Sequence, residues 1–186
     1  MAGTAYVFDA KSSQITVQAF AEGLAGIADH RPRFSVREFS GEVEFSPERL
    51  DGGSLLLTAR AGSLEIMDEV TQHDQKAIER VMFGEVLRPD KFPEVSFRSS
   101  RVVCSAVEEN IYRAEISGTM RLQGVGNSQS MVAQLVISNG SVRAYGEFRL
   151  RQTDYGIAAA SVAGGVLRIK NELKFGFFIV ARKGEG

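Results

Sequence analysis

The chain has no tryptophan, one cysteine (Cys104), two histidines (His30 and His73) and four prolines in 186 residues. A single thiol excludes an intrachain disulfide. The two histidines show no HxH or HxxxH spacing and no Cys–His pair, so neither a metal nor a cofactor is expected. No apolar run approaches the ~20 residues of a membrane-spanning helix. Lys plus Arg is 22 and Asp plus Glu is 23, a net charge of −1. That balance gives no electrostatic case for nucleic acid or stable membrane insertion. Met1-Ala2-Gly3-Thr4 runs straight into Ala5-Tyr6-Val7-Phe8, with no basic segment or apolar leader, so a cytoplasmic location is expected. There is no low-complexity segment, linker or repeat, and the length suits a single domain over 1–186. Such a chain can bury roughly 70% of its extended surface without a staple.

What is present is alternation. Val142, Ala144, Gly146, Phe148 and Leu150 interleave with Arg143, Tyr145, Glu147, Arg149 and Arg151. Successive strand side chains point to opposite faces, so this reads as a half-buried strand. Met131, Ala133, Leu135 and Ile137 repeat the pattern, and Asn139-Gly140 between the two runs predicts a hairpin with a type I′ turn. The same period appears in Tyr112–Leu122, Leu173–Ala181, Ile15–Ala19 and Leu55–Ala59, and in a run from Val95 and Phe97 towards Val103. Phe34 and Val36 share one phase, while Phe39, Gly41, Val43 and Phe45 share the other, which predicts a bulge or bend between them. About eight strands joined by short turns make an antiparallel sandwich or barrel, and the pattern leaves both open. Two stretches break the rhythm. Thr71 and Asp74 resemble an N-terminal cap, and Ile78, Met82 and Val86 form an apolar stripe ending before Pro89, so a helix is expected over about 70–87. A short helical turn is expected near 24–30.

Catalytic patterns are scarce. Asp29-His30 could orient an imidazole as a base, but no Gly-x-Ser-x-Gly elbow accompanies it. His73 reads as an exposed residue on the first helical turn, and Cys104, in an apolar strand, as a buried inert thiol. No residue is assigned a catalytic role. The apolar content is more telling: Phe34, Phe39, Met82, Phe83, Phe97, Tyr112, Phe148, Phe175 and Phe177 fall on inward phases or beside the helix. They can be plain core, or they can line a cavity of the kind an eight-stranded barrel encloses.

Four segments carry a resemblance. They are Gly23–His30 followed by Phe34–Val43; Met82–Leu87 followed by Lys91-Phe92-Pro93-Glu94-Val95-Ser96-Phe97-Arg98-Ser99; Gly118–Val125; and Tyr155-Gly156-Ile157 with Val162–Gly165 and Leu173-Lys174-Phe175. In this order and spacing they resemble the YceI-like family across nearly the whole chain. The resemblance implies an all-β, eight-stranded antiparallel, lipocalin-like barrel whose cavity takes a polyisoprenoid lipid: a prenyl quinone, phenol or phosphate. It implies a carrier or storage protein, and a homodimer as one state. An enzyme acting on an apolar substrate through Asp29-His30, or an interaction domain with a solid core, are the alternatives. Leu24 and Ile27 join the expected lining. His30, Arg31, Asp154 and Tyr155, polar residues at strand ends, are expected to meet the head group at the mouth.

Overall fold

The alternating runs form long antiparallel strands. The computed structural model describes residues 3–23, 31–158, 161–162 and 167–184. The strands are β1 (Thr4–Phe8), β2 (Gln14–Gln18), β3 (Ala21–Gly23), β4 (Arg33–Val36), β5 (Phe39–Ser46), β6 (Arg49–Arg60), β7 (Leu64–Ile66), β8 (Glu94–Glu108), β9 (Ile111–Leu122), β10 (Val125–Ser138), β11 (Ser141–Arg151), β12 (Ser161–Val162), β13 (Leu167–Ile169) and β14 (Glu172–Lys183). One helix, α1 (Gln72–Val81), lies between β7 and β8. The short strands β12, β13 and β3 make a small separate sheet.

The main sheet runs β1-β5-β6-β8-β9-β10-β11-β14, and β14 pairs back onto β1, with Tyr6 opposite Lys183 and Phe8 opposite Ala181. That last pairing settles the choice between sandwich and barrel: the wall is a closed, lipocalin-like ring of eight antiparallel strands. The longest wall strand, β8, has 15 residues. At ~3.3 Å per residue and a typical tilt, strands of this length enclose a deep tube.

Three wall strands are creased. The edge of β14 that holds β1 also holds β2, through Lys174–Phe178. Thus β1 and β2 form one wall strand interrupted at 9–13. β4 and β5 are likewise interrupted at 37–38, and β6 and β7 at Ala61–Ser63. Beyond the crease, β2, β4 and β7 continue the order of β1, β5 and β6. Hydrogen bonds stitch the gaps. Ser13 Oγ donates to the Asp9 carbonyl (2.6 Å) and accepts from the Val180 amide (2.9 Å), and the Arg37 amide donates to the Ser63 carbonyl (3.0 Å). The phase slip between Val36 and Phe39 is therefore a break between two strands with different partners, not a bulge within one.

β7 is the last strand of the sheet, and β8 begins only at Glu94, so α1 occupies the intervening stretch. Thr71 caps it, its side-chain oxygen accepting from the Asp74 amide at 3.2 Å. The helix continues as a wider π turn over Met82–Val86, and Arg88 takes φ +48 just before Pro89. The expected helix is thus present. The expected helical turn at 24–30 lies outside the described residues.

Two details differ from expectation. The β10–β11 hairpin forms, with Ser138 opposite Ser141, but Gly140 (φ +78) takes a positive φ and Asn139 does not. The turn with both central residues at positive φ, as type I′ requires, is Gln123–Gly124 (φ +51 and +75) between β9 and β10. In β8 the register shifts between Ser99 and Arg101. This bulge reverses the phase, so Val102 and Cys104, not Val103, join Val95 and Phe97 on the inside. Gly118 faces the bulge, and a Cβ there would stand 2.2 Å from the Arg98 carbonyl oxygen and 2.7 Å from Ser99 Cα. The two nearest atoms are β8 backbone, which cannot swing aside as a side chain can. Gly118→Ala should therefore cost ~1–3 kcal/mol, read as a lower urea midpoint. Gly84→Ala, with nothing within 4 Å of the new carbon, should leave the midpoint nearly unchanged.

Candidate ligand cavity

Small residues on the inward face leave the tube under-filled. Ala59, Ala114, Ala133 and Ala144 sit where Leu or Phe would close the space, and the cavity measures about 800 Å³. Gly146 has a different role: a Cβ there would stand 2.9 Å from the Phe177 ring and 2.4 Å from the Val132 carbonyl oxygen, so its missing side chain lets ring and backbone close in. The lining comes from both halves of the ring and from α1, whose Ile78, followed by Met82 and Val86 of the π turn, lies along it. Those three residues are the apolar stripe seen in the sequence.

The two ends of the cavity differ. At the hairpin end, Tyr6 and Phe45 stack with ring centres 4.6 Å apart, and both are buried together with Val142 and Ala181. Phe45, Gly53 and Ser54 also border a smaller polar pocket beyond, so Phe45 acts as the partition. At the helix end, the lining includes the exposed residues Arg31, Glu69, Thr71 and Asp74, which form a mouth. There Asp68 accepts from the Arg33 amide at 2.6 Å and pairs with its guanidinium at 3.4 Å. One rung inside lies an aromatic belt: Phe148 and Phe175 stack at 4.9 Å, Val17 pairs with Phe175, and Phe34 pairs with Val17.

The structure sorts the residues singled out from sequence. Phe34, Met82, Phe97, Phe148, Phe175 and Phe177 line the cavity, as does Arg31 at the mouth. Phe39, Phe83 and Tyr112 are half-buried but do not line it. Phe39 starts β5 at the crease, and its ring packs on the core instead of reaching the void. Phe83 is one residue round from Met82 and so turns off the cavity face. Tyr112 lies close to the β8–β9 turn. Tyr155 is 2% exposed and belongs to the packed core, with burial first, then the Asp154 charge, pushing its phenol up. Asp154 is exposed, and its backbone carbonyl accepts from Asn127 Nδ2 at 3.1 Å. Neither is a mouth residue. Leu24, Ile27, Asp29 and His30 lie outside the described residues. His73 is exposed on the first turn of α1, as its position suggested.

Many of the lining residues were not anticipated, Cys104 and Gln152 among them. Cys104 lines the wall half-buried, its backbone amide donating to Asp51 at 2.7 Å. Burial first, then the Asp51 charge, pushes its thiol up. Gln152 is 2% exposed and also lines the cavity. It is the next inward position after Val142, Ala144, Gly146, Phe148 and Leu150, so extending the period by one step past the strand would have found it.

Residues 6–181 match the model of the YceI-like domain. No functionally curated protein matches the sequence. Among solved structures, BcnA from Burkholderia cenocepacia is 14% identical with a TM-score of 0.71, over 93% of this chain and 98% of that one. A polyisoprenoid binding domain from Saccharophagus degradans, implicated in plant cell wall breakdown, is 14% identical with a TM-score of 0.69, over 97% and 99%. The YceI protein of Campylobacter jejuni is 13% identical with a TM-score of 0.63, over 82% and 85%. At these identities the likeness is one of fold, and it agrees with the closed ring. With the domain match running from the first wall strand to the last, the chain belongs to the YceI-like family.

Proposed function

We propose that this protein binds a long-chain polyisoprenoid lipid in the barrel and serves as its carrier or store, not as a catalyst. The observation that carries this reading is the apolar hollow of about 800 Å³ with a polar mouth at one end. An apolar space of this size, open to water at its mouth, leaves its lining unpacked, and an apolar guest that fills it removes that area from water. Volume places the hollow towards the upper end of the roughly 300–1,000 Å³ range of small-molecule sites. Each five-carbon isoprene unit buried contributes about 4 kcal/mol before binding costs are subtracted. Non-directional burial of this kind needs apolar area, not a motif. The name of the Saccharophagus degradans domain adds the ligand class.

Protein purified from its host should release a prenyl lipid into organic solvent, detected by mass spectrometry. An extract without lipid, together with no thermal shift on adding prenyl compounds, would overturn the reading. Loading should also shield Cys104. Its thiol titrates above the ordinary range, so alkylation of the unloaded protein should be slow at about pH 8 and rise with pH. Added lipid should slow it further at every pH, and Asp51→Asn should move the profile to lower pH by removing a negative charge. Chain length should follow the partition: replacing the Phe45 ring in Phe45→Ala leaves room for about one further isoprene unit, read as a shift to longer prenols in native mass spectrometry.

A further inference from the structure

The cavity wall is largely apolar away from the mouth, with one buried polar residue among those described, on the helix side. Gln152 opens the short 3-10 turn that follows β11. Its Nε2 donates to the Lys170 carbonyl at 2.8 Å. A carbonyl only accepts, so this bond fixes which end of the amide is nitrogen and which is oxygen. Oε1 is then left buried, on a residue that lines the cavity, with no hydrogen-bond partner, the sole buried side-chain nitrogen or oxygen in that condition among the described residues. Buried polar atoms are almost always paired, and one that is not calls for a reason.

The turn that holds this oxygen is rigid. The Gln152 amide donates to the Asn171 carbonyl at 2.8 Å, and the Ile157 amide donates to the Gln152 carbonyl at 3.1 Å. Asn171 and Thr153 bond each other reciprocally, Thr153 N to Oδ1 and Nδ2 to Oγ1, both at 2.9 Å. An acceptor fixed in this way loses little freedom when a donor meets it. It stands two residues beyond Leu150, and Leu150 adjoins the rung of the Phe148–Phe175 belt. That is where the head of a ligand would rest if its chain filled the tube below.

We propose that Gln152 Oε1 is a specificity-determining acceptor that selects a neutral ligand head bearing a hydroxyl: a prenyl alcohol, phenol or quinol. The inference rests on the lipid-binding reading above and narrows its head-group class. A quinone offers only carbonyl oxygens, so two acceptors would face each other. An ionised phosphate would bring negative charge against the same oxygen. At the mouth, Glu69 and Asp74 stand with Arg31 and the Arg33–Asp68 pair, so the described side chains offer a phosphate no cationic surplus.

The test uses a prenyl alcohol and its methyl ether of equal chain length, and a prenyl quinol against its quinone, each competed against a fluorescent lipid on the full chain. Wild type should bind the alcohol and the quinol about tenfold more tightly than the ether and the quinone. Gln152→Met should bring each ratio near one while still binding both members. Because this substitution also removes the donor to Lys170, a second readout uses wild type alone: the Gln152 Cδ resonance should move with the alcohol and not with the ether. If wild type binds alcohol and ether equally, or if the variant keeps the full ratio, the selection is overturned and lipid binding stands. If no prenyl compound binds, both readings fall.

Discussion

The wall of the barrel is held by backbone hydrogen bonds between neighbouring strands, and β14 closes it by pairing with β11 on one edge and with β1 and β2 on the other. Side chains need not meet across the middle for such a ring to stand. That frees the interior from the close packing of an ordinary core. Alanines can occupy inward positions, and a hollow persists that a sandwich, which depends on contact between its two inner faces, would have to fill. Surface ion pairs such as Lys174–Glu147 and Arg182–Asp9 decorate the outside of β14 but are partly open to water, and pairs of that kind add little to stability.

The ring is uneven. From β8 to β11 and in β14 the strands run long and unbroken, whereas the first three wall strands each break at a crease. Past the crease the sheet ends at β7, and the wall on that side is completed by α1 rather than by another strand. The helix brings two kinds of residue to one place. Ile78, with Met82 and Val86 beyond it, extends the apolar wall, while Thr71 and Asp74 at its beginning put polar groups at the rim. The polarity of the cavity from end to end thus follows from where the strands stop.

Much of this was legible in the sequence because side-chain alternation is local. The inward sets of β9, β10, β11 and β14 fall where the period places them, and the cap and stripe of α1 are present as read. What could not be read depended on partners far along the chain. Closure through Tyr6 and Lys183 joins residues at opposite ends of the sequence, and no local pattern separates it from a sandwich. The bulge at Ser99–Arg101 inverts the phase at Val103 and Cys104 with no glycine or proline to mark it. Phe39 has the right phase but sits at a crease. At the mouth, polar type and strand-end position picked out Asp154 and Tyr155, whereas the buried polar group is Gln152. Counting stopped where the strand stopped, although the inward direction persisted for one more residue.

The stacked pair at the hairpin end gives the vessel a bottom. With Tyr6 and Phe45 shutting one side and the rim of Arg31, Glu69 and Asp74 on the other, the two ends of any guest are not interchangeable. A chain of the kind proposed would slide in leading with its far terminus and back out the way it came, so that filling and emptying would be one route run in opposite senses.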